Sequence, residues 1–195
     1  MVNPGLLTQA KSDLVTAYNA TAAQGPGTTE PTDLAGLTLT PGVYTVPAAA
    51  TNLSGTVTLN GPGVFIFISP SSLITSPGAR VVLTGGASAC NVFWLVNSQA
   101  TLDTTTTFVG TVMALTTIVV NNGVNVNGRL LARNGAVTLI NDVINLFPCG
   151  LPGTGVPGEL RGGSASRLIL IGAVAIAGVV VLMAVNMRAR RRRTT

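Results

Sequence analysis

Histidine is absent from this chain of 195 residues, and charge is scarce: Asp, Glu, Lys and Arg make up 9% of it. Without an imidazole there is no His-based acid–base pair, no Ser–His or Cys–His couple and no histidine metal site. The acids Asp13, Glu30, Asp33, Asp103, Asp142 and Glu159 are scattered, with no paired spacing for carboxylate chemistry. Cys90 and Cys149 have no partner base for nucleophilic work. The chain is therefore read as non-enzymatic, with no metal, cofactor or small-molecule substrate. An export signal is also missing, because "MVNPGLLTQAKSDL" holds no basic stretch followed by an apolar one.

What is present falls into three kinds of pattern. Residues 6–23, "LLTQAKSDLVTAYNATAA", place Leu6, Leu7, Ala10, Leu14, Ala17 and Tyr18 on one side at three- and four-residue spacing, which predicts a helix. The cluster "QGPGTTEPTD" ends it. From there to about residue 145 short β-type runs ("GVYTV", "GTVTLN", "GVFIFI", "NVFWLV", "TTIVV") alternate with Gly, Asn, Ser and Pro. The runs repeat. A shift of 18 puts Gly110 on Gly128, Val112 on Leu130, Ala114 on Ala132 and Val119 on Val137, and a shift of 19 puts Phe93 on Val112 and Leu95 on Ala114. Eighteen residues make about three strands of six, one turn of a three-sided coil, and coils stacked about 4.8 Å apart form a parallel β-solenoid. A β-sandwich with accidental similarity is the competing architecture.

The third pattern is the ending. Residues 168–187 form an apolar run whose roughly 20 residues span about 30 Å as a helix, the thickness of a bilayer core. Residues 188–195 then hold Arg188, Arg190, Arg191, Arg192 and Arg193 with no acid, so the net +5 of the chain belongs to this tail. Beside a span, such a block reads as a cytoplasmic anchor rather than a nucleic-acid site, which places residues 1–166 outside the cell. Ahead of the run, Leu151, Pro152, Gly153, Thr154 and Gly155 match the LPxTG pattern, with a gap from Val156 to Arg167 before the span. The order of motif, span and basic tail resembles the cell-wall sorting signal of Gram-positive surface proteins. The usual gap in that family is shorter. The resemblance implies sortase and peptidoglycan as partners, with cleavage between Thr154 and Gly155. The bland reading of 151–167 is a Gly/Pro linker to a simple membrane anchor.

The segments "LTQAKSDLVTAYNATAA", "LAGLTLTPGVYTV", "LTLNGPGVFIF", "ACNVFWLV" and "TTFVGTVMALTTIVVNNGVNVNGRLLARNGAVTL", in this order and with these gaps, resemble the microbial ice-binding β-solenoid family over roughly residues 6–145. The resemblance implies a right-handed, three-sided parallel β-solenoid braced by one long helix, within a domain of residues 6–150. Family members normally carry further β segments ahead of the helix, so the N-terminal lead, residues 1–5, is expected to be truncated. It also implies an ice crystal surface as partner. The family's Thr-Ala/Gly-x-Thr/Asn strand pattern gives two files on one face: Ser71, Ser98, Thr116 and Gly135, then Ile74, Thr101, Val119 and Thr138. Ice binding or ice adhesion at the cell surface is the expected function, and a structural or adhesive wall protein without ice activity is the alternative. With coils stacked in order, Cys149 lies about three coils, roughly 14 Å, from Cys90, so a disulfide requires the chain after Ile144 to fold back.

Overall fold

The computed structural model describes residues 4–46, 50–147 and Cys149. The expected sorting motif, membrane span and arginine tail lie outside these residues. Among the described residues no helix is long and apolar enough to cross a membrane.

The helix α1 runs Pro4–Ala22, two residues ahead of its expected start, with proline at the first turn, where its missing N–H costs nothing. Tyr18 is its buried anchor. With the half-buried Leu14 it packs against Leu95, Met113, Ile68, Phe93, Leu115 and Leu131. The Tyr18 hydroxyl donates to Asn97 Oδ1 at 2.6 Å, and the Arg133 guanidinium lies 5.4 Å from the ring centroid. Burial pushes the Tyr18 phenol above its ordinary pKa, with Arg133 acting in the opposite sense. The apolar stripe of the helix is only partly used. Leu6 and Leu7, placed on the packed side by their spacing, are 68% and 51% exposed. Leu7, Ala10 and Leu14 instead border an open groove with Leu130, Leu131 and Val137.

The β residues form a coil with three faces. Face A stacks β1 (Thr28–Thr29), β3 (Gly42–Thr45), β6 (Phe65–Ser69), β9 (Val92–Val96) and the second halves of β11 (Thr107–Ala114) and β13 (Asn125–Ala132). Face B stacks β4 (Thr51–Leu53), β7 (Leu73–Thr75), β10 (Ala100–Leu102), β12 (Ile118–Val120) and β14 (Val137–Thr138). Face C stacks β2 (Thr38–Leu39), β5 (Thr56–Asn60), β8 (Arg80–Thr84), the first halves of β11 and β13, and β15 (Val143–Asn145). Every ladder among the described strands is parallel. A sandwich needs antiparallel sheets, so the solenoid reading holds. Alternate residues point inward. Tyr44, Phe67 and Trp94 stand in register on successive rungs, with ring centroids 5.5 Å and 4.0 Å apart, and Phe108 lies 5.0 Å from Trp94. This aromatic column, with Leu53, Leu59, Leu73, Leu102 and Ile118, fills the narrow core.

The 18-residue repeat is correct between β11 and β13, where Gly110 pairs with Gly128 and Val112 with Leu130. Three pairs are off by one. Phe93 pairs with Thr111, not Val112, Leu95 with Met113, not Ala114, and Val119 with Thr138, not Val137. A one-residue slip exchanges inside for outside. Phe93 turns toward the helix while Trp94 enters the core, and the turn between β13 and β14 holds one residue more than its predecessor.

Earlier coils are longer. Phe65 pairs with Val92, a 27-residue step, and the surplus forms a loop between β8 and β9 that carries a short 3-10 turn, Ala89–Asn91. This loop packs against β11 and β13. Cys90 sits on it and forms a disulfide with Cys149 across a Cα–Cα distance of 5.4 Å. The two residues are three coils apart along the path, as the stacking predicts. The gap closes because the loop leaves the coil and runs along the outside of the stack.

The coil after β13 ends the described stack. Val137, Leu139 and Ile144 are 37%, 50% and 39% exposed, whereas Ile118, Val120 and Val126, one rung earlier, are fully buried. Leu146 and Phe147 are exposed beside them.

Candidate functional site

The described residues contain no group of three or more His, Cys, Asp or Glu side chains placed to hold a metal. Three of the acids staple turns. Asp33 Oδ1 accepts from the backbone N–H of Ala35 and of Ser54, and Oδ2 accepts from the Ser54 hydroxyl. Burial alone would raise its pKa, but these hydrogen bonds, led by the Ser54 hydroxyl, outweigh it and hold the carboxyl below its ordinary value. Asp103 accepts from Asn121 Nδ2 and from the Thr104 N–H, and these bonds lower its pKa too. Asp142 accepts from the Val124 and Ile140 N–H groups.

One of the two expected files falls on face B, and the other on the turn that leads into it. Ile74, Thr101, Val119 and Thr138 are direct register partners, each the central or last residue of a short strand whose neighbours point into the core. Asn52 pairs with Ile74 and extends this file by a rung. Five rungs at about 4.8 Å cover roughly 19 Å. The other file lies on the turn leading into face B. The registers of Ser69 with Val96 and Leu73 with Ala100 set Ser71 against Ser98. The Thr116 N–H donates to the Ser98 carbonyl at 3.1 Å. Gly135 follows Thr116 so closely that a Cβ there would lie 2.8 Å from the Thr116 carbonyl oxygen.

The hydroxyls of the molecule divide by position. Inside the coil they pair with one another: Thr51 with Ser69 at 2.8 Å and Thr75 with Thr106 at 3.0 Å. On face B and the turn into it, Ser71, Ser98, Thr101 and Thr116 make no side-chain hydrogen bond to the protein among the described residues, which leaves these hydroxyls to solvent. Thr138 is the exception and donates weakly to the Ile118 carbonyl at 3.5 Å. Between the hydroxyls stand aliphatic groups, Ile74 (39% exposed) and Val119. From Asn52 to Thr138 neither file carries a charge. Face C holds Arg80 and face A lies under α1, so among the described residues face B is the one that is both open and neutral. Asp33, bridged to Asn52, bounds it at one end.

Asn52 was hidden from sequence reasoning because its step to Ile74 is 22 residues, neither of the intervals that recur later in the chain. The Ser54–Gly55 turn signal after its strand was the available cue.

The described residues thus form a parallel β-solenoid with one braced face and one uncharged, hydroxyl-bearing face. The sequence matches the ice-binding-like family over residues 1–145, and the chain belongs to that family. An ice-binding protein of Nostoc sp. (strain HG1) is 45% identical over 137 residues, covering 67% of this chain and 50% of that protein. An ice-binding protein of Colwellia sp. is 44% identical over 151 residues, covering 73% of this chain and 58% of its own length. The chain thus spans about half the length of these curated relatives. The crystal structure of an ice-binding protein from the Antarctic ascomycete Antarctomyces psychrotrophicus superposes with a TM-score of 0.69 at 36% identity, covering 73% of this chain and 72% of that one. That of an ice-binding protein from an Antarctic biological consortium gives 0.66 at 44% identity, covering 71% and 66%.

Proposed function

We propose that this protein binds ice through face B. The observation that carries the reading is the neutral array itself, with solvent-facing hydroxyls of Ser71, Ser98, Thr101 and Thr116 interleaved with the aliphatic groups of Ile74 and Val119. Membership in the ice-binding-like family supports it. Each contact of such a surface with ordered water is weak, so the array acts only if it stays flat. A bulky side chain in its middle therefore does more harm than loss of one hydroxyl. With the full chain held in lipid nanodiscs, the wild type is expected to partition into a growing ice front and to shape ice crystals, above empty nanodiscs. Thr116→Tyr removes most of this while circular dichroism and melting stay near wild type. Unshaped disc-like crystals and no enrichment in the ice would sink ice binding and leave the structural or adhesive wall protein in its place.

The same reading places the protein on the cell surface, anchored through residues 151–195. The LPxTG-like block Leu151–Gly155, the apolar run and the arginines support it, and a disulfide is at home in an exported chain. Expressed with a signal peptide in a Gram-positive host, the protein is expected to end at Thr154 on peptidoglycan, and Thr154→Ala shifts it to the membrane fraction. Release of intact wild type by detergent alone would refute sorting in favour of a plain membrane anchor.

A further inference from the structure

The terminal rung of face B depends on a coil that holds itself poorly. Residues 133–147 carry β14 and β15, each paired on one side only among the described strands, to β12 and β13. Their inward side chains Val137, Leu139 and Ile144 keep 37–50% of their surface in solvent, so this coil gains much less from burial than the rungs beneath it. Its noncovalent ties all run to one side, down to the coil beneath. They are the two short ladders and backbone bonds such as Arg133 N–H to the Ala114 carbonyl at 2.9 Å, Ile118 N–H to the Ala136 carbonyl at 3.0 Å and Val143 N–H to the Val124 carbonyl at 3.0 Å. Side-chain bonds join Asp142 with the Val124 N–H, Thr138 with the Ile118 carbonyl, Asn141 with Asn122 and Asn145 with Asn125, the last three at 3.4–3.5 Å. End coils of a solenoid are the first to open. The covalent tie at its far end is Cys149 to Cys90, and Cys90 stands on the loop that packs against β11 and β13, two rungs held firmly in the stack.

Resting on the ice reading of face B, we propose that the Cys90–Cys149 disulfide is a positioning clamp for that face, holding the terminal coil closed so that Gly135 and Thr138 stay in plane with Thr116 and Val119. With both ends of residues 133–149 fastened, one in β13 and the other at Cys90, opening the coil releases only the entropy of a closed loop. Released from Cys90, the same segment is no longer closed into a short loop at that end, and opening it gains more. The clamp touches no ice. It acts through the rung that does. Reduction by a dithiol breaks the Cys90 Sγ–Cys149 Sγ bond, gives each sulfur one electron and one proton, and leaves the reductant as its cyclic disulfide. The array then loses its last rung.

The test uses the full chain in nanodiscs, oxidised or treated with dithiothreitol, together with the Cys90→Ser/Cys149→Ser pair. Thermal hysteresis is read well below the melting temperature, with amide hydrogen exchange in parallel. In the oxidised protein Thr138→Tyr lowers the hysteresis and Thr101→Tyr abolishes it. On reduction the wild type falls to the level of oxidised Thr138→Tyr, Thr138→Tyr has no additional effect, and exchange rises only over residues 133–147. The serine pair behaves like the reduced wild type and does not respond to reductant. Reduced protein that keeps full hysteresis, with Thr138→Tyr still harmful, overturns the clamp. So does a rise in exchange over all coils, which marks general stabilisation instead of positioning. If Thr101→Tyr leaves the oxidised protein fully active, the ice reading itself fails, and that result is distinguishable from failure of the clamp alone.

Discussion

At the scale of the residue, what a side chain does is set by which side of the coil wall it stands on. Threonine serves three ends here. Thr51, Thr75 and Thr106 are buried and spend their hydroxyls on internal partners, as a buried polar group must. Thr101 and Thr116 point out and keep theirs for solvent. Thr105 does neither. It sits at the corner between faces B and C with φ 57°, in the left-handed region, where a β-branched side chain is strained. Gly78 and Gly123 occupy the same corner in the adjoining coils, with φ 73° and 76°. Thr105 is exposed, and its hydroxyl bonds only the neighbouring Thr104 carbonyl. Thr105→Gly therefore removes strain at little loss of contact, while the added freedom of the unfolded chain offsets part of the gain. The expected net is a stabilisation of about 1 kcal/mol, seen as a rise in melting temperature of roughly 2–4 °C. A fall in melting temperature would show that the corner is not strained.

At the scale of the element, face B is a ladder of two- and three-residue strands whose middle file reads Asn52, Ile74, Thr101, Val119, Thr138. Hydroxyls and aliphatic groups alternate along its upper part, so Thr101 and Thr138 are two rungs, roughly 9.6 Å, apart. Val119→Thr joins them into three consecutive hydroxyls without changing volume or shape. The position is half-buried on an outer face, so stability should move by no more than about 0.5 kcal/mol. If an unbroken hydroxyl ladder is what orders water, thermal hysteresis rises above wild type, and Val119→Ala lowers it. Equal activity in all three proteins would assign the file's contribution to flatness alone. How much of this ladder was legible in the sequence follows from the coil lengths. Between β10 and β12 the step is 18 residues, and a simple shift finds the register. The family's strand pattern supplied the 19-residue step to Thr138 that the shift missed. The Asn52 rung, at a 22-residue step, had no regular interval to reveal it. The disulfide was illegible for a related reason. Counting coils gives the distance along the axis, and the loop that shortens it has no strand pattern to show which way it runs. The overhang of Leu6 and Leu7 was equally hidden, because helical spacing shows which side is apolar but not how far the partner surface extends.

At the scale of the whole molecule, the lack of histidine sets the pH response. No side chain has an ordinary pKa between 5 and 8, apart from the chain's amino terminus near its upper end. Both cysteines are tied up as a disulfide. Among the described residues, the groups that couple acid pH to the fold are the turn carboxylates Asp33 and Asp103, both held below their ordinary value of 3.8, while Tyr18 bears only on alkaline pH. A carboxyl whose folded pKa is depressed stabilises the fold at every pH above its unfolded pKa. As pH falls through that value the unfolded chain takes up the proton first, and the stabilisation is lost progressively until the folded pKa is passed. Melting temperature and ice activity are therefore expected to be level from about pH 5 to 8, with the melting temperature declining only below about 3.8. Asp33 spans two coils, from its own turn to Ser54 on the next, so it should account for part of the acid limb. Asp33→Asn keeps an acceptor for the Ala35 and Ser54 N–H groups but cannot ionise. It should lower the melting temperature at neutral pH and flatten its decline in acid, so that the two proteins converge at low pH. Parallel curves for wild type and Asp33→Asn down to pH 2 would show that the carboxylate is not what the acid limb reports.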